Sequence, residues 1–175
     1  MKINFSPPDI TELEINEVVE ALKSGWITTG PRTKELERRI ATYLGTPKAV
    51  CLNSATAALE MILRVLGIGP GDEVITSAYS YTASASPVVH VGAKLVLIDT
   101  APDSYEMDYD KVAAAINDKT KAIIPVDIGG VPCDYDRLFT IVNDAKSLFV
   151  PSNDIQRALG RIPIVADRKS TRLNS

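Results

Sequence analysis

Three places along the chain carry side chains whose types and spacing could do chemistry. The segment Asn53-Ser54-Ala55-Thr56-Ala57-Ala58-Leu59 follows a short apolar run, Ala49-Val50-Cys51-Leu52, and opens a helical pattern that is apolar at Ala58, Leu59, Ile62, Leu63, Val65 and Leu66 and stops at Gly67. The first turn of such a helix offers unpaired N–H groups and the positive end of the helix dipole, so a phosphate would sit well at Ser54, Ala55 and Thr56. Taken alone, Ser54 also reads as a plain helix cap. Tyr81 could stack against a flat ring, and Asp167 could hold a proton on a ring nitrogen. By themselves they read as a core or surface tyrosine and as a strand-end turn residue or helix cap. Together the three suit a flat, phosphorylated, nitrogen-containing ring.

The elements that must position these groups alternate along the chain. Asp9-Ile10-Thr11-Glu12 has capping-box form and opens an amphipathic helix (Leu13, Ile15, Val18, Val19, Leu22) ending at Gly25. A turn-rich loop, Gly25-Trp26-Ile27-Thr28-Thr29-Gly30-Pro31, leads to a second helix capped by Thr33 and closed by Gly45. From Ala49 the pattern predicts strand 49–52, helix 55–66, strand 73–76, helix 82–91, strand 94–98, helix 108–116, strand 121–126, helix 134–146 and strand 162–166. Such alternation specifies an α/β fold of three layers, α/β/α, around a mainly parallel sheet. Ligands in these sheets collect beyond the carboxyl ends of the strands. The strands deliver Asn53 and Ser54, then Ser77 with Tyr79-Ser80-Tyr81, then Asp99, Asp127 and Asp167 to those ends. A nicotinamide-type site would want Gly-x-Gly-x-x-Gly after the first strand, and residues 53–58 contain no glycine.

Composition narrows the function classes. The 175 residues fit one domain of ordinary size, with a net charge of −3. The last eight residues hold basic and no acidic side chains, so the body is more acidic than the total suggests. That makes nucleic acid an unsuitable partner. Cys51, Cys133 and the single His90 have no metal-ligand spacing, so no metal is expected. The N-terminus lacks the apolar core of a signal peptide and no run is long enough to span a bilayer, which points to a soluble, cytoplasmic protein without a membrane partner.

Pyridoxal 5′-phosphate has the form that the three sites together would suit. An aspartate facing its ring nitrogen keeps that nitrogen protonated and raises the ring's capacity to absorb electrons, while stacking fixes the ring's orientation. The chain resembles the sugar-nucleotide aminotransferases of the DegT/StrS type, a branch of the fold-type-I pyridoxal-phosphate enzymes. The matching segments are Ser24-Gly25-Trp26-Ile27-Thr28-Thr29-Gly30-Pro31, Asn53 to Leu59, Gly67-Ile68-Gly69-Pro70-Gly71-Asp72-Glu73-Val74-Ile75 and Lys121-Ala122-Ile123-Ile124-Pro125-Val126, in the family's order and covering nearly all of residues 3–167. The resemblance implies the large domain of the aspartate-aminotransferase-like fold, truncated. In it Ser54, Ala55 and Thr56 hold the cofactor phosphate, Tyr81 stacks on the pyridine ring, Asp167 pairs with its nitrogen, and Trp26 and Thr29 lie in a substrate-facing loop. It also implies glutamate as amino donor, a keto-sugar nucleotide as acceptor, and a homodimer with active sites built between subunits.

Two departures from the family pattern stand out. Many relatives place His where this chain has Asp127, followed by Ile128-Gly129-Gly130-Val131, which puts a substrate role for this loop in doubt. Relatives also continue past the aspartate with Ala-Ala-His or Ala-Ala-Gln and supply the Schiff-base lysine some two dozen residues later. Here the sequence reads Asp167-Arg168-Lys169-Ser170-Thr171-Arg172-Leu173-Asn174-Ser175, and Lys169 lies too close to Asp167 to be that lysine. The expected organisation is therefore an N-terminal helical segment with its active-site loop (1–46), a partial cofactor-binding domain (47–167) and a tail foreign to the fold (168–175). Such a fragment of an aminotransferase should not transaminate efficiently by itself. A non-catalytic module that binds the cofactor or a nucleotide sugar is the alternative.

Overall fold

The computed structural model describes residues 8–168. The expectations for the extreme N-terminus and, Arg168 apart, for the tail lie outside the described residues. The described residues form two compact units that divide between Cys51 and Leu52.

The first unit contains two helices. Helix α1, Glu12–Lys23, begins with a capping box two residues later than the expected Asp9–Glu12 one: Thr11 Oγ1 accepts from the Leu13 amide at 3.2 Å, and the Thr11 amide donates to Glu14 Oε2 at 2.7 Å. Helix α2, Pro31–Leu44, starts three residues earlier than the sequence predicts, with Gly30 as its cap. Thr33 is thus inside the helix. The physical reason is Pro31, whose fixed φ and missing N–H suit the first helical position. The α2 chain stops at Gly45 in the left-handed region (φ 64°). The run 49–52, expected as a strand, joins no ladder among the described residues; the Cys51 amide donates instead to Glu37 Oε1 at 2.8 Å.

The second unit is the α/β body. It runs α3 (Ala55–Val65), β1 (Glu73–Ser77), α4 (Thr82–His90), β2 (Lys94–Ile98), α5 (Tyr109–Ala115), β3 (Thr120–Ile124), α6 (Tyr135–Asp144) and α7 (Asp154–Leu159). The expected helix 134–146 ends early because its last turn tightens into a 3₁₀ segment, Ala145–Leu148. The strands are parallel in the order β2-β1-β3, with Ile75 aligned to Val96 on one side and to Ile123 on the other.

Residues 163–167 run parallel to β3 on its far side. The Ile123 amide donates to the Pro163 carbonyl (3.0 Å), Val165 to Ile123 (2.9 Å), Asp167 to Pro125 (2.9 Å) and Asp127 to Asp167 (2.9 Å). Pro125 has no N–H to give. The predicted strand 162–166 is therefore reduced to single bridges at Ile164 and Asp167.

Central strands in a parallel sheet must be apolar on both faces, and β1 and β3 are buried along their whole length. Successive residues feed different layers. Ile75, Ile98 and Ile123 pack with Val112, Leu138 and Val142 from α5 and α6. Val74, Ala122 and Ile124 pack with Leu59 and Leu63 of α3 and Val88 of α4. These are the two helical layers expected from the sequence. The short helix α7, which hydrophobic periodicity did not signal, fastens the C-terminal end of α3: Asn153 Nδ2 and Gln156 Nε2 both donate to the Leu66 carbonyl, at 2.9 and 2.8 Å. No helix among the described residues is long and apolar enough to cross a membrane.

At the amino edge of the sheet, the buried Glu73 carboxylate accepts from Lys94 Nζ (2.7 Å) and Asn117 Nδ2 (2.9 Å). The Lys94 hydrogen bond, followed by that of Asn117, lowers its pKa from the ordinary 4.5. A lowered folded-state pKa contributes stability that is fully present above the unfolded value and is lost as pH falls through the folded one. Urea unfolding of the wild type and Glu73→Gln should therefore differ most at neutral pH and converge below the folded pKa of Glu73. A gap that stays constant into acid would show that Glu73 is not held as a carboxylate.

Candidate functional site

The carboxyl end of the sheet gathers the groups singled out in the second unit. Residues 163–167 deliver Asp167 there with its side chain 2% exposed. Ser84 Oγ, in the first turn of α4, donates to Asp167 Oδ2 at 2.7 Å, and Ser80 Oγ lies 2.6 Å from Ser84 Oγ. Ser80 is among the residues expected at the strand ends, whereas Ser84 is not conspicuous in the sequence. Their spacing of four at the start of a helix, just past a strand, was the available signal.

Tyr81 occupies the N-cap position of α4, where its carbonyl takes the Ser84 amide at 2.9 Å. Its side chain is 77% exposed, so the ring has an open face. Neighbouring Tyr79 is engaged differently, stacked on Tyr105 with centroids 5.5 Å apart.

Helix α3 leads through Gly67–Asp72 into the start of β1 and packs on the sheet face, so its own N-terminus lies at the carboxyl edge. Ser54 caps it, accepting from the Ala57 amide at 3.1 Å, and the first intrahelical bond runs from Ala58 to the Ser54 carbonyl. Helix geometry leaves the Ala55 and Thr56 amides without a carbonyl partner in the helix. Both the capping and the anion-binding readings of this turn are compatible with that arrangement, since a cap uses one amide and an anion would take the others.

Asp127, at the end of β3, is 1% exposed. Its Oδ1 accepts from the Cys133 amide (2.9 Å) and the Tyr135 hydroxyl (3.0 Å), and its Oδ2 pairs with Arg168 Nε at 2.7 Å. The carboxylate thus ties together both ends of the loop that turns at Gly129-Gly130, both with positive φ (62° and 84°). Burial, then the nearby Asp127 charge, pushes the Cys133 thiol up to about 11. Burial and the same carboxylate push the Tyr135 hydroxyl upward as well. Both groups are protonated near neutrality, as hydrogen-bond donors must be. Among the described residues no cluster of His, Cys, Asp or Glu has the make-up of a metal site.

Trp26 and Thr29 lie in the first unit and form a closed turn: Trp26 Nε1 donates to the Thr29 carbonyl at 3.2 Å, and the Trp26 amide to Ser24 Oγ at 3.2 Å. The indole lies over Gly30, where any Cβ would collide with it. Gly30→Ala should therefore displace the ring, and because Trp26 is the only tryptophan, its fluorescence reports the change directly. An emission spectrum identical to that of the wild type would show that the indole does not rest on Gly30.

Comparison with known proteins gives a consistent result. The family model described as DegT/DnrJ/EryC1/StrS aminotransferase family matches residues 8–161. The spore coat polysaccharide biosynthesis protein SpsC of Bacillus subtilis is 41% identical over 83% of this chain and 37% of its own length. Among solved structures, "Putative sugar aminotransferase Spr1654" from Streptococcus pneumoniae, determined in its PMP form, superposes with a TM-score of 0.93 at 61% identity, over 95% of this chain and 42% of that one. DesV of S. venezuelae superposes with a TM-score of 0.72 at 37% identity, over 78% and 37%. The chain spans less than half the length of these relatives. Their likeness shows the aspartate-aminotransferase-like large-domain fold in part.

Proposed function

The chain belongs to the DegT/DnrJ/EryC1/StrS aminotransferase family, and on that premise we propose that residues 47–167 are the first part of the cofactor-binding domain of a pyridoxal-phosphate enzyme. The whole protein would move an amino group from glutamate to a keto-sugar nucleotide, in the synthesis of a cell-surface polysaccharide or a secondary-metabolite sugar. It would work in the cytoplasm as a homodimer. Residues 1–46 would contribute Trp26 and Thr29 to the substrate side.

The observation that carries this reading is the buried Asp167 carboxylate, with a hydroxyl donor at 2.7 Å, set at the same sheet edge as an open aromatic face and a helix turn with amides to spare. The donor set fits the cofactor. Backbone amides at Ala55 and Thr56, with the hydroxyls of Ser54 and Thr56, would hold a phosphate ester. The open face of Tyr81 would cover one side of a pyridine ring and exclude water from it. Asp167 would keep a proton on the ring nitrogen, since a buried carboxylate favours an adjacent cation. Pyridoxal phosphate, when bound, supplies the electron sink that lets an amino group leave one carbon skeleton and join another.

Glutamate added to the whole protein loaded with pyridoxal phosphate should bleach its visible absorbance and release 2-oxoglutarate, and a keto-sugar nucleotide should restore the band. An unchanged spectrum with no 2-oxoglutarate would overturn this reading.

A further inference from the structure

Ser84 belongs to a helix face buried against the sheet and is itself 1% exposed. A serine in that situation commonly returns its hydroxyl to a carbonyl of the preceding turn. Here the hydroxyl reaches out of the helix to Asp167 Oδ2 at 2.7 Å, across 83 positions of sequence. A hydroxyl has one proton to give. With that proton committed to the carboxylate, Ser84 can only accept from Ser80, whose Oγ is 2.6 Å away. Both hydroxyl dipoles therefore run in one direction, from Ser80 through Ser84 to Asp167.

We propose that Ser84 is a positioning residue for Asp167, fixing the plane of the carboxylate against a pyridine nitrogen, with Ser80 orienting Ser84 in turn. The proposal rests on the reading of Asp167 as the partner of that nitrogen. A carboxylate can rotate about χ2, and one that must meet a planar N–H in line gains from having its other contacts fixed beforehand. The hydrogen bond from Ser84 is charge-assisted, which makes it the strong kind and sets a direction as well as an energy. Ser84 itself touches no ring atom in this scheme. It acts through the aspartate alone.

The test uses the whole protein and pyridoxal phosphate as the probe, with two readouts: the Kd for the cofactor and the pH midpoint of its visible absorbance when bound. Ser84→Ala should raise the Kd by about tenfold, the effect of losing a hydrogen bond to a charged group, and should displace the pH midpoint. Ser84→Thr, which keeps the hydroxyl, should bring both values back toward the wild type. Ser80→Ala should move both in the same direction as Ser84→Ala and by less. A Kd and midpoint unchanged in Ser84→Ala, or a larger effect from Ser80→Ala than from Ser84→Ala, would overturn the proposal. If Ser84→Ala does not fold, Ser80→Ala carries the test, and an unchanged Kd and midpoint there count against it. Asp167→Asn separates the two levels. If it binds the cofactor as the wild type does, the reading of Asp167 fails and the proposal falls with it. If it binds weakly while Ser84→Ala binds normally, only the role of Ser84 is refuted.

Discussion

The pairing of residues 163–167 with the end of β3 is the constraint on which the candidate site depends. Four backbone hydrogen bonds, all between 2.9 and 3.0 Å, bring two parts of the chain some forty residues apart into register. The last two of them use the amides of Asp167 and Asp127. One consequence is that both carboxylates sit at the same end of the sheet with their backbone amides already bonded, which leaves their side chains to find partners of their own. Asp127 settles within its own loop, on Cys133 and Tyr135, and with Arg168. Asp167 turns toward α4 and takes the Ser84 hydroxyl. Burying a carboxylate is costly unless hydrogen bonds replace the lost water, and each aspartate meets that requirement differently.

The layers on either side of the sheet follow from the same parallel geometry. Because β1 and β3 have no solvent face, the residues of β1 serve two cores alternately, and the crossover helices must cover both. A helix after a strand then begins at the carboxyl edge. This places the N-terminus of α4, with Tyr81 and Ser84, beside the end of β1, and α3 begins at that edge because it must return to the amino edge to feed the strand.

The sequence was informative wherever local pattern and tertiary need agreed. Strand 94–98 is bounded as periodicity predicts, and α1 forms where its apolar spacing places it, although its capping box is Thr11 with Glu14 and not Asp9 with Glu12. It was less informative where a single residue overrides the pattern. Pro31 moves the start of α2 ahead of Thr33, and Pro125 thins the last strand to isolated bridges. The run 49–52 has strand composition, yet strand structure is a property of a pair, and no partner adjoins it among the described residues. The helix α7 escaped notice because its role is polar: Asn153 and Gln156 act through amides on a carbonyl, which leaves no hydrophobic period to read. Ser84 was hidden for a related reason. A serine among small residues at the start of a helix has many uses, and only the arrival of Asp167 from a distant segment selects one.

The Glu73, Lys94 and Asn117 cluster joins the starts of β1 and β2 to the turn before β3, at the opposite edge from Tyr81 and Asp167. The sheet thereby separates two kinds of evolutionary freedom. Its amino edge is a fastening shared by three segments, where a change in one partner must be answered by the others. Its carboxyl edge ends in loops whose tips, such as Gly129-Gly130, can be lengthened or rewritten without loosening that fastening. A lineage built on this body is free to vary one rim while the other preserves the scaffold.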